Sequence, residues 1–223
     1  MVAYPVLAFD TCGDTSTVAL IGTGRNARSL LRGIVAVRPV KRVAVYSRQA
    51  AKRDQFARDA AAELDGIEVR AAASSADAAA GAEIVVCATD SAVPVLSPGE
   101  VGPDAFVASM GSPAELPSEL LLTSAAIFVG SWSQERQYDH YHAYREDVAP
   151  RVLVGLSKTG QLRWGTDIRQ VDDAIAGRWE RPSGGRVIFK ESQGGCGDVA
   201  LAAAAYRRAL ELGRGRDIDF AGA

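Results

Sequence analysis

The chain has 223 residues, 48% hydrophobic and 23% charged, which is enough apolar matter for a real core and argues against a disordered chain. Its formal net charge is −2, so nothing in bulk draws it to nucleic acid or to an anionic membrane, because sequence-independent binding of either needs a positive surface. The three cysteines, Cys12, Cys87 and Cys196, are odd in number, widely spaced and free of any CxxC, which argues against a disulfide framework or a cysteine zinc site and fits a reducing compartment.

The opening MVAYPVLAFD lacks the basic start of a signal peptide, and no apolar run nears the about 20 residues that span a bilayer. A cytoplasmic location is the expectation. Residues 17–21 (TVALI) form a short apolar run, followed by GTGRNA and then by SLLRGIVAV with helical spacing of apolar residues. That order reads as strand, glycine turn and helix, with Pro39 ending the helix. Residues 42–46 (RVAVY) read as a second strand, 49–64 as a helix stopped at Gly66, and 67–70 as a third strand. A short helix over 76–80 can be capped by Ser74 or Ser75. Residues 83–88 (EIVVCA) are a fourth strand, 105–109 and 125–129 the fifth and sixth, with a helix over 115–122 between them.

Alternation of this kind implies a doubly wound α/β fold of the Rossmann type with a mostly parallel sheet. Beyond Gly130 the pattern weakens: 167–176 reads as a helix, 186–189 (RVIF) as a strand and 198–212 as a strong closing helix. The expected organisation is a short lead over 1–16, a Rossmann domain over 17–130, and over 131–223 an extension and closing helix packed on the same domain. Within it 132–191 reads as peripheral.

Gly22-Thr23-Gly24-Arg25-Asn26-Ala27 fits G-x-G-x-x-[GA]. Gly22 permits the tight turn, Gly24 lets a pyrophosphate reach the backbone, and Ala27 lets helix pack on strand. The amides and positive dipole of the helix start would then hold the phosphates. The other reading is a glycine turn in a fold that binds nothing. After the second strand a carboxylate would favour NAD(H). Ser47-Arg48-Gln49 stands there instead, with Lys52 one turn on. Arg48 can fork onto a 2′-phosphate, so NADP(H) is expected in preference to NAD(H), against the alternative of a solvated Arg and Lys. Cys87 to Ser91 follow the fourth strand, at the edge where such folds bind ligands, or form a plain turn.

The stretches VALIGTGRNA, VAVYSR and GAEIVVCATDSAVPVL, with the later IFKESQGGCGDVALAAAAYRRALELGRGRDI, resemble the ornithine cyclodeaminase and mu-crystallin family. The glycine motif is common to many families. The Ser-Arg after the second strand, ATDSAVPVL, and the Phe189-to-Asp198 spacing make the likeness specific. The resemblance implies NAD(H)- or NADP(H)-dependent chemistry at a carbon bearing an amine or imine. It also implies that Gly22, Thr23, Gly24, Arg25 and Asn26 hold the pyrophosphate, that Ser47, Arg48 and Gln49 hold the 2′-phosphate, and that Ala88, Thr89, Met110 and Gly111 lie along the rest of the dinucleotide. Three departures stand out. The family's usual chain has an N-terminal domain that grips the substrate carboxylate and makes the dimer, whereas sixteen residues precede the first strand here. YPVLAFDTCGD resembles a remnant of the linking strand, with the Arg-bearing helix deleted. In MGSPAELPSEL, Gly111 and Glu119-Leu120 fit the family, but Pro113 stands where the cyclodeaminases carry an acid Asp, so ornithine cyclisation is not expected. The glycine of the closing loop shifts to Gly194.

His140 and His142 are the two histidines, in a Tyr-rich segment that is a proton donor, a lid, a dimer contact or a polar surface connection. A metal site would need a third ligand that cannot be identified. Asp198 reads first as a helix cap and second as a group orienting the nicotinamide or a water. Glu115 is a substitute acid or a helix-start residue. Trp132, Trp164 and Trp179 line a pocket or, better, pack the extension on the sheet. The leading functional expectation is an NADPH-dependent reductase of a small C=N substrate, with the extension or a second subunit replacing the substrate domain. A non-catalytic NADP(H)-binding or partner protein and an amino-acid or alcohol dehydrogenase are the alternatives.

Overall fold

The computed structural model describes residues 15–137, 152–190, 195–216 and 218. In chain order the first half is β1 (Thr17–Ile21), α1 (Arg25–Val37), β2 (Arg42–Tyr46), α2 (Ala50–Glu63), β3 (Glu68–Ala71), α3 (Ser75–Ala79) and β4 (Ile84–Cys87). Then come β5 (Phe106–Ser109), α4 (Ser118–Leu122), β6 (Ala126–Val129), α5 (Val152–Lys158), β7 (Ile168–Gln170), α6 (Val171–Ile175), β8 (Val187–Lys190) and α7 (Gly195–Glu211).

The strands form one eight-stranded sheet in the order β3-β2-β1-β4-β5-β8-β6-β7, with every pairing parallel. The sequence dictates this by using continuous apolar runs. β4, β5, β6 and β8 are buried at every residue, as a sheet covered on both faces requires. Along β1 the side chains alternate between two cores. Val18 and Leu20 join Leu30, Ile34 and Phe56 on one face, while Ala19 and Ile21 join Val85, Val107 and Leu120 on the other. α1 meets its face with Ala27, Leu30, Leu31 and Ile34, spaced at i, i+3, i+4 and i+7. It stops at Val37, just ahead of the pre-proline residue Arg38. At α3 it is Ser74 that caps, its side chain accepting from the amide of Asp77.

Four expectations are corrected. First, 132–191 is not peripheral: β8 lies inside the sheet between β5 and β6, with Phe189 opposite both Ala108 and Phe128. Its four apolar or stem-burying residues leave no polar face for an edge. Second, the helix expected over 167–176 is split, because Ile168 pairs with Ile127 as β7 and only Val171–Ile175 is helical. Third, the helix expected from 115 begins at Ser118, so Glu115 lies in the preceding turn. Fourth, α7 begins at Gly195, so Asp198 sits in its first turn rather than at its cap. Apart from the half-buried Ala209, the described side chains of α7 are exposed, Val199, Leu201, Tyr206 and Leu210 by 57–69%, so the helix carries apolar groups that the sheet does not cover. The tryptophans pack: Trp179 meets Phe128 edge-on at 4.9 Å and Trp132 meets Trp164 at 6.5 Å. Among the described residues no helix is long and apolar enough to cross a membrane.

The interior place of β8 makes a stability contrast. Phe189→Ala empties a fully buried site and should cost about 3–5 kcal/mol in urea unfolding, whereas Leu210→Ala on the exposed face of α7 should stay within about 0.5 kcal/mol. Comparable losses in the two variants would contradict this placement.

Candidate functional site

The carboxyl ends of β1, β2, β4 and β5 open onto a cleft of about 790 Å³. Its centre is the turn after β1. Gly22 has φ +116°, and a Cβ there would lie 2.4 Å from the carbonyl oxygen of Ala88, so glycine is required both for conformation and for space. Gly22 donates its amide to the Tyr46 carbonyl at 2.8 Å, and Ala88 donates to Ile21 at 2.8 Å, which extends the sheet ladder past the strand ends on both sides. At Gly24 the situation is opposite: a Cβ would meet nothing within 4 Å. No neighbour among the described residues demands that glycine; its bareness opens the backbone towards the cleft. α1 begins immediately after it with no side-chain cap, so its first amides and the positive end of its dipole face the cleft with no acceptor for them among the described residues.

The cleft is electrostatically one-sided. Arg25, Arg48 and Lys52 line it against a single carboxylate, Asp90. Arg48 and Lys52 are exposed and form no hydrogen bond or ion pair among the described residues. Ser47 turns its hydroxyl to the Gln49 carbonyl at 3.3 Å. Cations held at a concave polar surface without internal partners suit a polyanion, and a cleft of this volume suits a dinucleotide-sized ligand.

Behind the other end of the cleft lies a buried, tightly bonded cluster. Glu115 is fully buried. One of its carboxylate oxygens accepts from the amide of Thr89 after β4, and the other accepts from Ser109 Oγ and from the amide of Gly111 after β5, both at 2.9 Å. Lys190, at the end of β8, donates to Ser109 Oγ at 2.9 Å and to the Ser112 carbonyl at 3.0 Å. A Cβ on Gly111 would fall 1.9 Å from the Thr89 carbonyl oxygen. Burial pushes the thiol of Cys87 well above its ordinary pKa, the nearby Glu115 charge pushes it further, and Lys190 opposes them. Cys87 is therefore a core group and not a nucleophile.

Of the residues singled out in the sequence, Gly22, Thr23, Gly24, Arg25, Asn26, Ser47, Arg48, Gln49, Lys52, Ala88, Thr89, Met110 and Gly111 all line the one cleft. His140 and His142 lie outside the described residues. Asp198 is exposed on α7. Glu115 has its oxygens committed to protein donors and does not line the cleft. Tyr46, Ser75 and Pro94 line it too without having been singled out. Ser75 was legible in principle, since any residue opening the helix after β3 emerges at the same sheet edge.

A family model described as the ornithine cyclodeaminase/mu-crystallin family matches residues 8–212. The chain is 32% identical over 199 residues to the Delta(1)-pyrroline-2-carboxylate reductase of Paracoccus denitrificans, an alignment covering 85% of this chain and 58% of that protein. Among solved structures, the fold matches the iminosuccinate reductase of Paracoccus denitrificans in complex with NAD+, with TM-score 0.78 and 20% identity over 98% of this chain and 64% of the other. It also matches the Delta(1)-pyrroline-2-carboxylate reductase of Thermococcus litoralis in complex with NADH and L-proline, with TM-score 0.75 and 21% identity over 97% and 66%. The chain spans 40% to 62% of the length of the curated relatives it matches.

Because Cys87 is fully buried with its thiol pKa raised, the thiolate fraction at pH 8 is small and shielded. Alkylation mapped by peptide should leave Cys87 unlabelled in the folded protein at pH 8 and label it readily in denaturant. Rapid labelling of the folded state would show that the sheet core is open at β4.

Proposed function

The chain belongs to the ornithine cyclodeaminase/mu-crystallin family, and from that membership we propose that it acts as an NADPH-dependent reductase of a C=N bond, with a small, cyclic imine as the leading substrate class. The residues present fit a dinucleotide: a bare helix start beside Gly24, and a glycine whose absent Cβ leaves backbone at the centre of the cleft. The cofactor, when bound, supplies a hydride to the imine carbon. The chain's own residues bind and orient. Gly22, Thr23, Gly24, Arg25 and Asn26 hold the pyrophosphate through the first amides of α1. Thr89, Met110 and Gly111 form the surface under the nicotinamide half, and the apolar core beneath β4 and β5 keeps water from its underside. The reductase activity rests on relatives whose names record imine reduction.

The observation that carries the cofactor preference is the pair of exposed cations, Arg48 and Lys52, at the end of β2 with no internal partner among the described residues. No carboxylate stands there to take the ribose hydroxyls. Ser47 completes a donor set for a 2′-phosphate.

A second reading is an NADP(H)-binding protein without turnover. It is favoured by the state of two ionisable groups behind the nicotinamide end: Glu115 and Lys190 are both buried and committed to protein partners, so neither is poised to give a proton to an imine nitrogen.

Calorimetric titration separates the cofactors. Wild-type protein should bind NADPH more tightly than NADH. Arg48→Ala should weaken NADPH about tenfold, matching the about 1.5 kcal/mol or more of a charge-assisted hydrogen bond, and leave NADH within about twofold. Equal losses for both cofactors would remove the 2′-phosphate assignment. Binding of NADPH with no oxidation in the presence of cyclic imines would favour the second reading.

A further inference from the structure

Glu115 presents a problem that the dinucleotide reading alone does not solve. A fully buried carboxylate is costly unless its lone pairs are taken and its charge is balanced. The lone pairs are taken by three protein donors, and the ammonium of Lys190 stands one hydroxyl away, on Ser109 Oγ. Two of the three donors are backbone amides on different loops, Thr89 after β4 and Gly111 after β5. The third is Ser109 Oγ. An ammonium only donates and an ionised carboxylate only accepts. Lys190 donates to Ser109 Oγ, so the serine's single proton is directed to Glu115. A chain of hydrogen bonds thus runs from β8 through β5 to the two loops.

The same loops are drawn together by their backbones. Ser112 donates to the Thr89 carbonyl at 2.9 Å and Met110 to the Cys87 carbonyl at 2.8 Å, and at Gly111 there is no room for a Cβ against Thr89. The contact lies two to three strand positions along the sheet from the end of β2, where Arg48 stands, a span of about 10–14 Å at the usual strand spacing. Glu115 therefore acts on one end of the cleft and not on the other.

We propose that Glu115, linked to Lys190 through Ser109 Oγ, is a positioning residue that fixes Thr89 against Gly111 and thereby holds the surface on which the nicotinamide half of the dinucleotide rests. The proposal deepens the dinucleotide reading and depends on it. Glu115 does not touch the ligand. It sets the relative height of two loops that do, while the adenosine half is held independently by the turn at Gly22 and by Arg48. A carboxylate that served the fold alone would, when removed, weaken both halves together. A positioning residue splits them.

The full chain and its Glu115→Gln variant are titrated with NADPH and with 2′,5′-ADP, which carries the adenosine half without the nicotinamide; NADH and ADP are run in parallel. Amide exchange at residues 88–91 and 109–113 is followed in the wild type with each ligand. The expected result is added protection at Thr89 and Gly111 with the whole dinucleotide and not with the half. In Glu115→Gln, dinucleotide affinity falls about tenfold as one buried amide loses its acceptor, while the half-ligand stays within about twofold. Parallel loss of both ligands overturns the proposal, because it marks a scaffold role. A wild type that binds the dinucleotide with unchanged affinity in the variant overturns the positioning role alone. A wild type that binds neither ligand overturns the dinucleotide reading and the proposal together. If Glu115→Gln does not fold, the wild-type exchange comparison decides: equal protection by whole and half ligand overturns the proposal.

Discussion

At two places on the carboxyl edge of the sheet, backbone lies on backbone with no room for a Cβ: Gly22 against the carbonyl of Ala88, and Gly111 against that of Thr89. The rest of the site follows from these contacts. The first brings the start of α1 down beside β4, so that its uncapped amides open onto the cleft instead of onto bulk water. The second closes β4 on β5 and buries the turn that carries Glu115. The sheet positions the strands, but strands alone would leave their loops free to diverge. It is the two glycines that make three consecutive strand ends share one surface.

That surface has two ends of opposite physical character. At the β2 end Arg48 and Lys52 stand exposed and without internal partners among the described residues. At the β5 end a carboxylate and an ammonium are both buried, each surrounded by donors or acceptors of the protein. Charges of the first kind wait for a ligand, since solvent screens them and no internal bond has to be broken to use them. Charges of the second kind are already spent on geometry, in an environment where an unmatched group is expensive. The net charge of −2 hides this contrast, because a polyanion senses the local field of a concave surface and not the sum over the chain.

The glycine turn, the first six strands and the cation pair were legible in the sequence because each depends on near neighbours: a strand followed by G-x-G, a helix with apolar residues at Ala27, Leu30, Leu31 and Ile34, and Ser-Arg at a strand end. The position of β8 was not. RVIF announces a strand, but nothing local says that it will enter between β5 and β6, since the apolar residues that receive it, Ala108 and Phe128, are themselves indistinguishable from any buried strand residue. The split of 167–176 failed similarly, because Ile168 could serve a helix face as well as a strand, and only its pairing with Ile127 decides. Glu115 read as a helix-start acid because one of its donors, Thr89, lies 26 positions before it, and the nearer two, Ser109 and Gly111, reach it only because the turn before α4 folds its carboxylate back under the end of β5. The closing helix was expected to pack on the domain, yet Val199, Leu201, Tyr206 and Leu210 of α7 are exposed; burial of a face is a property of two surfaces, of which a periodic pattern names one.

The insertion of β8 also orders assembly in time. β5 and β6 are close in the chain yet not neighbours in the sheet, and the strand that joins them is the last of the eight. Until residues 187–190 arrive, the β6–β7 pair has no strand pairing to the β3-β2-β1-β4-β5 half, and β5 and β6 present unpaired edges that are apolar apart from Ser109. Edges of that kind recruit other chains, and contacts of long sequence separation form late. The molecule is therefore most vulnerable to aggregation when synthesis has passed β6 but not β8, and any shortening that removes β8 would leave the chain in that state permanently.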